Sequence, residues 1–327
     1  MVSPARQEAF KILMRVEDGA YASTLLLNTD GKPEDRRLTQ EIVLGVLRNY
    51  RLLDHYLEII SGRDLQRFDP EVTYALRIGA YQLLYLDRIP PSAAVNESVK
   101  LVKLCRKASA SGLVNAVLRK LASGRQRLFE VVVEPALRYS HPDWLYRSWV
   151  EHWGDEWAEA LAAANNETPP VMFRFNPLHP EVERGRKALE GFYTGSKLLP
   201  TACRLLEDAP KDTLNALIAE GICYIQDEAS QLVASLVGAM PGETVLDLCA
   251  APGGKTAALA AYMQNSGRLI ATELHLSRAK TLAATLCRMH AVADVVCCDA
   301  TAPALAIDFD RILVDAPCSG TGTLRRN

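Results

Sequence analysis

The sequence has 327 residues, 49% of them apolar and 23% charged, which excludes a fibrous or disordered chain and suits two or three globular domains. No run of ~18 apolar residues could span a bilayer, and the opening Val2-Ser3-Pro4-Ala5-Arg6-Gln7-Glu8 lacks the apolar stretch of a secretory signal, so a cytoplasmic protein without a membrane partner is expected. The net charge of −2 excludes nothing by itself.

Residues 5 to about 123 read as successive helices. Apolar residues recur at three and four positions in Ala9-Phe10-Ile12-Leu13-Val16, Leu38-Ile42-Val43-Val46-Leu47, Leu52-Leu53-Tyr56-Leu57 and Val72-Leu76-Ile78-Leu83-Leu84. Gly31-Lys32-Pro33, Ser61-Gly62, Asp69-Pro70, Ile89-Pro90-Pro91 and Ser109–Gly112 supply the breaks. The pattern after Pro91 predicts a helix to about Lys107, with Lys100, Lys103 and Lys107 on one face and Leu101, Val102, Leu104 and Cys105 on the apolar side. Between Glu97 and Glu130 there is no acid, against eight bases that include Lys100, Lys103, Lys107, Arg119 and Lys120. Residues 1–130 carry a formal +5 and the remainder −7. A basic helical half on an acidic remainder points to a polyanion-binding module, with those five residues as candidate RNA contacts.

Residues 129–237 are expected to form a linking α+β region. Val171–Phe175 and Gly221–Gln226 are strand-like, and Glu181–Phe192 is helical in pattern. Trp149, Trp153 and Trp157 are spaced as one stripe of a single helix, predicted to be buried against a neighbouring domain, with a base-stacking surface as the lesser alternative.

From residue 238 the pattern changes to strand, loop and helix. Strands are predicted at Thr244–Leu248, Arg268–Thr272, Ala293–Cys298 and Arg311–Val314, and helices at Lys255–Met263 and from Leu276 to about His290. Such alternation implies a parallel, doubly wound sheet. After the first strand, Cys249-Ala250-Ala251-Pro252-Gly253-Gly254-Lys255 opens a helix at the edge where such sheets bind ligands. Glycines let the backbone approach a ligand closely, and a helix N-terminus favours negative charge. Glu273 lies at the end of the second strand, where a carboxylate can accept both hydroxyls of a ribose, and Asp299 ends the third. Loop, acid and second acid describe an adenosine-containing ligand. Gly254-Lys255-Thr256 also imitates the end of a P-loop, but the glycine that motif needs five residues earlier is Cys249.

The second chemical signal, Asp315-Ala316-Pro317-Cys318-Ser319-Gly320-Thr321-Gly322, follows the fourth strand. A thiol on a Gly-rich loop at the same sheet edge can act as nucleophile or proton donor, supported by loop amides or by Ser319 or Thr321. The other cysteines are expected to be reduced, buried thiols, apart from Cys249 in the first loop. No Cys-x-x-Cys occurs and the six histidines show no ligand spacing, so no metal is expected.

These two loops resemble those of the RNA cytosine-C5 methyltransferases that use S-adenosyl-L-methionine (SAM). Gln226-Asp227-Glu228-Ala229-Ser230 resembles the segment before their SAM domain. The stretches Ile89–Glu97 and Gly112–Arg119 are similar to the NusB-type RNA-binding domain, a pairing found in the bacterial branch that modifies small-subunit rRNA. The resemblance covers essentially the whole chain. It implies an all-α NusB-like domain over residues 1–128, a small α+β region over 129–237, and a Rossmann-type methyltransferase domain over 238–327. The implied activity is methyl transfer to C5 of a 16S rRNA cytosine, of the cytosine-967 type, through a covalent adduct between a cysteine and C6. The implied SAM contacts are Cys249, Ala250, Ala251, Pro252, Gly253, Gly254, Lys255, Glu273, Asp299 and Asp315, with Asp315 also near the target base. The partner is 16S rRNA and the protein a monomer.

Two departures matter. The family's attacking cysteine sits in a Thr-Cys pair after the next strand, a pair this sequence lacks; Cys318 corresponds to the cysteine that assists product release. The sequence is therefore expected to be a shortened form, weak in SAM binding and inactive in methylation. Glu273 stands where the family usually has Asp. The competing readings are a non-catalytic RNA-binding protein and a P-loop-like nucleotide-binding protein.

Overall fold

The computed structural model describes residues 2–302, 305–318 and 320. The chain separates into two compact units, the first running to Thr168 and the second starting at Pro169.

The first unit is helical: α1 (Pro4–Glu17), α2 (Ala22–Leu27), α3 (Pro33–Ser61), α4 (Pro70–Tyr85), α5 (Pro91–Leu104), α6 (Ser111–Phe129), α7 (Pro135–Arg138), α8 (Asp143–Trp153) and α9 (Asp155–Asn166). Proline opens α1, α3, α4, α5 and α7, where its missing N–H would be unpaired in any residue and its fixed φ already suits a helix. Helix α4 is buried nearly all round, as expected of a helix enclosed by others. Phe10 and Leu13 of α1, Ile42, Leu53 and Leu57 of α3, Leu101 of α5 and Leu118 and Leu121 of α6 close over it. The two apolar series Leu38–Leu47 and Leu52–Leu57 belong to one 29-residue helix.

Two expectations for this unit are corrected. Helix α5 stops at Leu104, so Lys107 lies on the following loop, and Leu104 is exposed rather than on the apolar side. The tryptophan stripe does not exist. Gly154, at φ +81°, ends α8 and precedes α9, a conformation that costs other residues strain. Trp149 is buried with Tyr146, Ala158 and Ala162, whereas Trp144, Trp153 and Trp157 are exposed.

The second unit begins with an antiparallel sheet in the order β2-β3-β1-β4, made of β1 (Met172–Phe175), β2 (Tyr193–Gly195), β3 (Cys203–Leu205) and β4 (Cys223–Ile225). Helices α10 (Val182–Ala188) and α11 (Lys211–Glu220) accompany it, and Phe173, Phe175, Leu189, Leu214, Leu217 and Ile222 form its core. Strands β2 and β3 and helix α11 were not legible in the sequence; three-residue strands are too short to show a period.

After α12 (Glu228–Leu236) comes the parallel sheet, ordered β7-β6-β5-β8: β5 (Thr244–Asp247), β6 (Arg268–Glu273), β7 (Asp294–Cys297) and β8 (Arg311–Leu313), with α13 (Gly254–Tyr262) between β5 and β6 and α14 (Leu276–Arg288) between β6 and β7. The strands match the predicted runs to within two residues. The fold is thus the expected combination of helical domain, small α+β region and α/β methyltransferase-type sheet. No helix among the described residues is long and apolar enough to cross a membrane.

Candidate active site

Parallel pairing brings the carboxyl ends of all four strands of the second sheet to one edge. Asp247 pairs with Ala271 and Leu313, and Glu273 with Cys297. The loop after β5 is tied across this edge: Leu248 N donates to Leu313 O (3.0 Å), Ala250 N to Thr272 O (2.9 Å), and Thr272 Oγ1 to Leu248 O (2.6 Å). Ala250, Gly253 and Gly254 are buried while Pro252 is exposed, and the Ala251–Pro252 peptide is cis.

The predicted residues converge in part. Lys255 Nζ donates to Asp315 Oδ2 at 2.5 Å, joining the two motif loops. Glu273 is buried, accepting from the His275 amide (3.2 Å) and facing Arg278 at 3.5 Å. Arg278 also donates to Ala251 O (3.2 Å), so it bridges the loop and the acid. Asp299 departs from expectation: it lies two residues past the end of β7, exposed, with Oδ1 accepting from Thr301 N (2.8 Å) and Oγ1 (2.7 Å). These bonds hold its carboxyl below the usual carboxylate range.

Asp247, the last residue of β5 and two residues before the first motif, is not among the residues the sequence singles out. Its Oδ2 accepts from Thr256 Oγ1 (2.7 Å), while its buried Oδ1 accepts no well-formed hydrogen bond. Burial pushes its carboxyl up to about 6, against the opposing pull of the Thr256 hydroxyl, Lys255 and the Cys249 amide. A buried carboxylate oxygen lacking a donor suits a cationic or hydroxyl-bearing ligand. Arg278 is also absent from the sequence-based set, its only signal being its place in the first turn of the helix that follows Glu273.

The thiols differ. Burial, and then Asp247, Glu273 and Asp315, push the Cys249 thiol up, the direction opposite to that of an activated thiolate. Cys318 is exposed, and the Gly320 amide donates to its Sγ at 3.4 Å. Ser319 and Thr321, the other expected supports, lie outside the described residues. Of the eight thiols, all free, Cys203 and Cys223 are buried and Cys287 and Cys297 are exposed, so the expectation of generally buried cysteines is corrected. Among the described residues no cluster of His, Cys, Asp and Glu could hold a metal ion.

In the helical unit Lys100, Lys103, Arg119 and Lys120 are exposed. Lys100 pairs with Glu97 (2.7 Å), Lys107 with Asp69 (2.8 Å), and Lys120 Nζ donates to Ile60 O (3.1 Å). Exposed pairs of this kind are worth little and exchange readily for phosphate.

Comparison with known proteins agrees with this layout. Residues 3–123 match the NusB family, residues 141–210 the ferredoxin-like domain of RsmF/B-type methyltransferases, and residues 234–327 the 16S rRNA methyltransferase RsmB/F family. A ribosomal RNA small subunit methyltransferase B of Cronobacter sakazakii is 36% identical over 95% of this chain and 74% of its own length. One of Pseudomonas putida is 36% identical over 90% of this chain and 68% of its own. The crystal structure of PH0851 superposes with a TM-score of 0.73 over 100% of this chain and 77% of its own, at 24% identity, and so shares the fold. The parallel sheet with its two motif loops, joined to a NusB-type helical domain, places the chain in the ribosomal RNA small subunit methyltransferase B family.

Proposed function

We propose that the protein is of the type that uses SAM to methylate C5 of a cytosine in 16S rRNA, with a target of the cytosine-967 type, its 327 residues supplying the cofactor loop and Cys318 but not the attacking cysteine. The observation that carries this reading is the Lys255–Asp315 contact, which unites the two motif loops at one sheet edge. SAM, when bound, supplies an electrophilic methyl group. Cys249–Lys255 would hold it with Glu273 at the ribose hydroxyls, Asp299 toward the base, and Asp315 shared with the target cytosine. The buried Asp247 carboxylate, whose Oδ1 accepts no well-formed hydrogen bond, fits a ligand that carries an ammonium and a sulfonium.

Cytosine C5 is a weak nucleophile. Addition of a thiolate to C6 would make C5 enamine-like and able to accept the methyl group, SAM leaving as S-adenosylhomocysteine, and a base that takes the C5 proton would let the thiolate depart. By resemblance Cys318 assists that expulsion, and the attacking cysteine belongs to a Thr-Cys pair that these 327 residues do not include. Residues 1–128 would hold the RNA through Lys100, Lys103, Lys107, Arg119 and Lys120, residues 129–237 would link, and residues 238–327 would bind the cofactor.

The test is calorimetric titration of the protein with SAM, with S-adenosylhomocysteine and with ATP. Binding of the first two and not of ATP supports the reading; ATP binding that SAM does not displace would replace it with a nucleotide-triphosphate site.

A further inference from the structure

Strand β1 reads Met172-Phe173-Arg174-Phe175, and all four residues are buried. Arg174 is 4% exposed. A cation so placed costs several kcal/mol unless it is paired, yet among the described residues no carboxylate lies within ion-pair distance of it. Its partners are neutral. Nε donates to Gln226 Oε1 (3.0 Å), Nη2 donates to Gly254 O (3.1 Å), and the guanidinium stands 5.5 Å from the centre of the Tyr224 ring. Burial pulls its ionisation down to about 10, which leaves it charged at neutral pH.

The partners are themselves fixed. Gln226 N donates to Met172 O (3.0 Å), and Gln231 Nε2 donates to Gln226 O (2.9 Å). The Tyr224 ring fills the space that a Cβ on Gly254 would take, with Cε1 2.6 Å from that position. Gly254 is the first residue of α13 and the end of the loop that begins at Cys249. Arg174 and Tyr224, on neighbouring strands of the antiparallel sheet, thus grip the cofactor loop where it becomes a helix.

We infer that Arg174 is a positioning residue for the SAM loop, its planar fork holding Gln226 on one prong and the Gly254 carbonyl on the other. An apolar side chain of similar volume would fill this place at no electrostatic cost. What it would lose is the directed bond to Gly254 O, and with it the fixed start of α13 and the geometry of the loop amides. The middle region is then part of the cofactor site and not only a link between two domains. This inference rests on the SAM reading of the loop.

The test compares Arg174→Lys and Arg174→Met with Asn176→Ala. Asn176 lies two residues further on, just past the end of β1, fully buried, and donates to Gly221 O (3.0 Å) and Met289 O (2.8 Å), away from the loop. Dissociation constants for SAM and for a 16S rRNA fragment are measured on each folded variant beside its thermal midpoint. Arg174→Lys keeps the charge but cannot serve both prongs, and it remains informative if Arg174→Met does not fold. The expected result is a loss of SAM affinity of about tenfold or more in the Arg174 variants, unchanged RNA affinity, and a lowered midpoint without loss of SAM affinity in Asn176→Ala. SAM affinity in Arg174→Lys equal to that of the unaltered protein overturns the assignment, as does an equal loss in Asn176→Ala. Failure of the unaltered protein to bind SAM would instead overturn the cofactor reading itself.

Discussion

Lys255 Nζ and Asp315 Oδ2 meet at 2.5 Å across 60 residues of sequence. The lysine is the second residue of α13, the helix after β5, and the aspartate follows β8, so the contact exists only because those two strands are neighbours. Asp315 is nearly half exposed, so the pair contributes at most about 1 kcal/mol to stability. Asp315→Asn is expected to leave the denaturation midpoint nearly unchanged while weakening SAM binding by roughly tenfold, the scale of one charge-assisted hydrogen bond. Calorimetry and urea unfolding on the same variant check both halves. A large fall in stability with intact SAM binding would make the pair structural.

Asp247 yields a pH prediction. Its carboxyl is raised from 3.8 to about 6 in the fold, chiefly by burial. Between those values the folded protein retains a proton that the unfolded chain has lost. This group's contribution to stability is therefore greatest below pH 4 and declines as pH rises to about 6, by on the order of 3 kcal/mol. Asp247→Asn should flatten that decline and stabilise the ligand-free protein at pH 8, while weakening SAM binding through loss of the carboxylate. Unfolding curves from pH 4 to 8 in the absence of ligand provide the check; an unchanged pH dependence in the variant would contradict it.

The tryptophans separate by burial. Trp149 packs in the small core of α8 and α9 and stacks edge-on to His141 at 5.2 Å. Trp149→Ala should cost about 3–5 kcal/mol. Trp153 and Trp157 are exposed, and replacing both by alanine should cost less than about 1 kcal/mol. Denaturant midpoints of the two variants distinguish these outcomes.

For RNA, Lys103 and Arg119 are exposed and no ion pair is recorded for either among the described residues. Lys103→Glu and Arg119→Glu should each weaken binding of a 16S rRNA fragment and lower the slope of log K against log salt by about 1. SAM affinity should not change. Equal slopes for variant and unaltered protein would remove these residues from the RNA contact.

Thiol reactivity offers a further check. Cys318 is exposed, whereas burial pushes the Cys223 thiol up to about 12. Iodoacetamide at pH 8 should modify Cys318 well before Cys223, as read by peptide mass spectrometry. Early labelling of Cys223 would show that the antiparallel sheet opens readily.

How much was legible follows from the range of each signal. The parallel strands can be read because each is a short apolar run followed, in three of the gaps, by a change to helical or small-residue pattern, and Arg268–Thr272 differs from the observed Arg268–Glu273 by one residue. The functional loops could be read because their residue types carry the chemistry themselves. The tryptophan stripe failed because spacing alone does not report that Gly154 breaks the helix. Asp299 was placed at a strand end because the sequence does not show where pairing with β6 stops. Arg174 looked like an ordinary strand residue because its partners lie 52 and 80 residues away.

Sequence by itself determined the order of helical, α+β and α/β segments, the two motif loops and the basic stretch after Glu97, since helix period, strand runs and turn residues are properties of neighbours along the chain. Only the tertiary structure decided that Lys255 touches Asp315, that the Asp247 carboxyl is buried, and that Arg174 reaches the cofactor loop. Burial and the pairing of distant groups depend on how the elements pack, and packing sets the local dielectric and the available donors that govern what each side chain does.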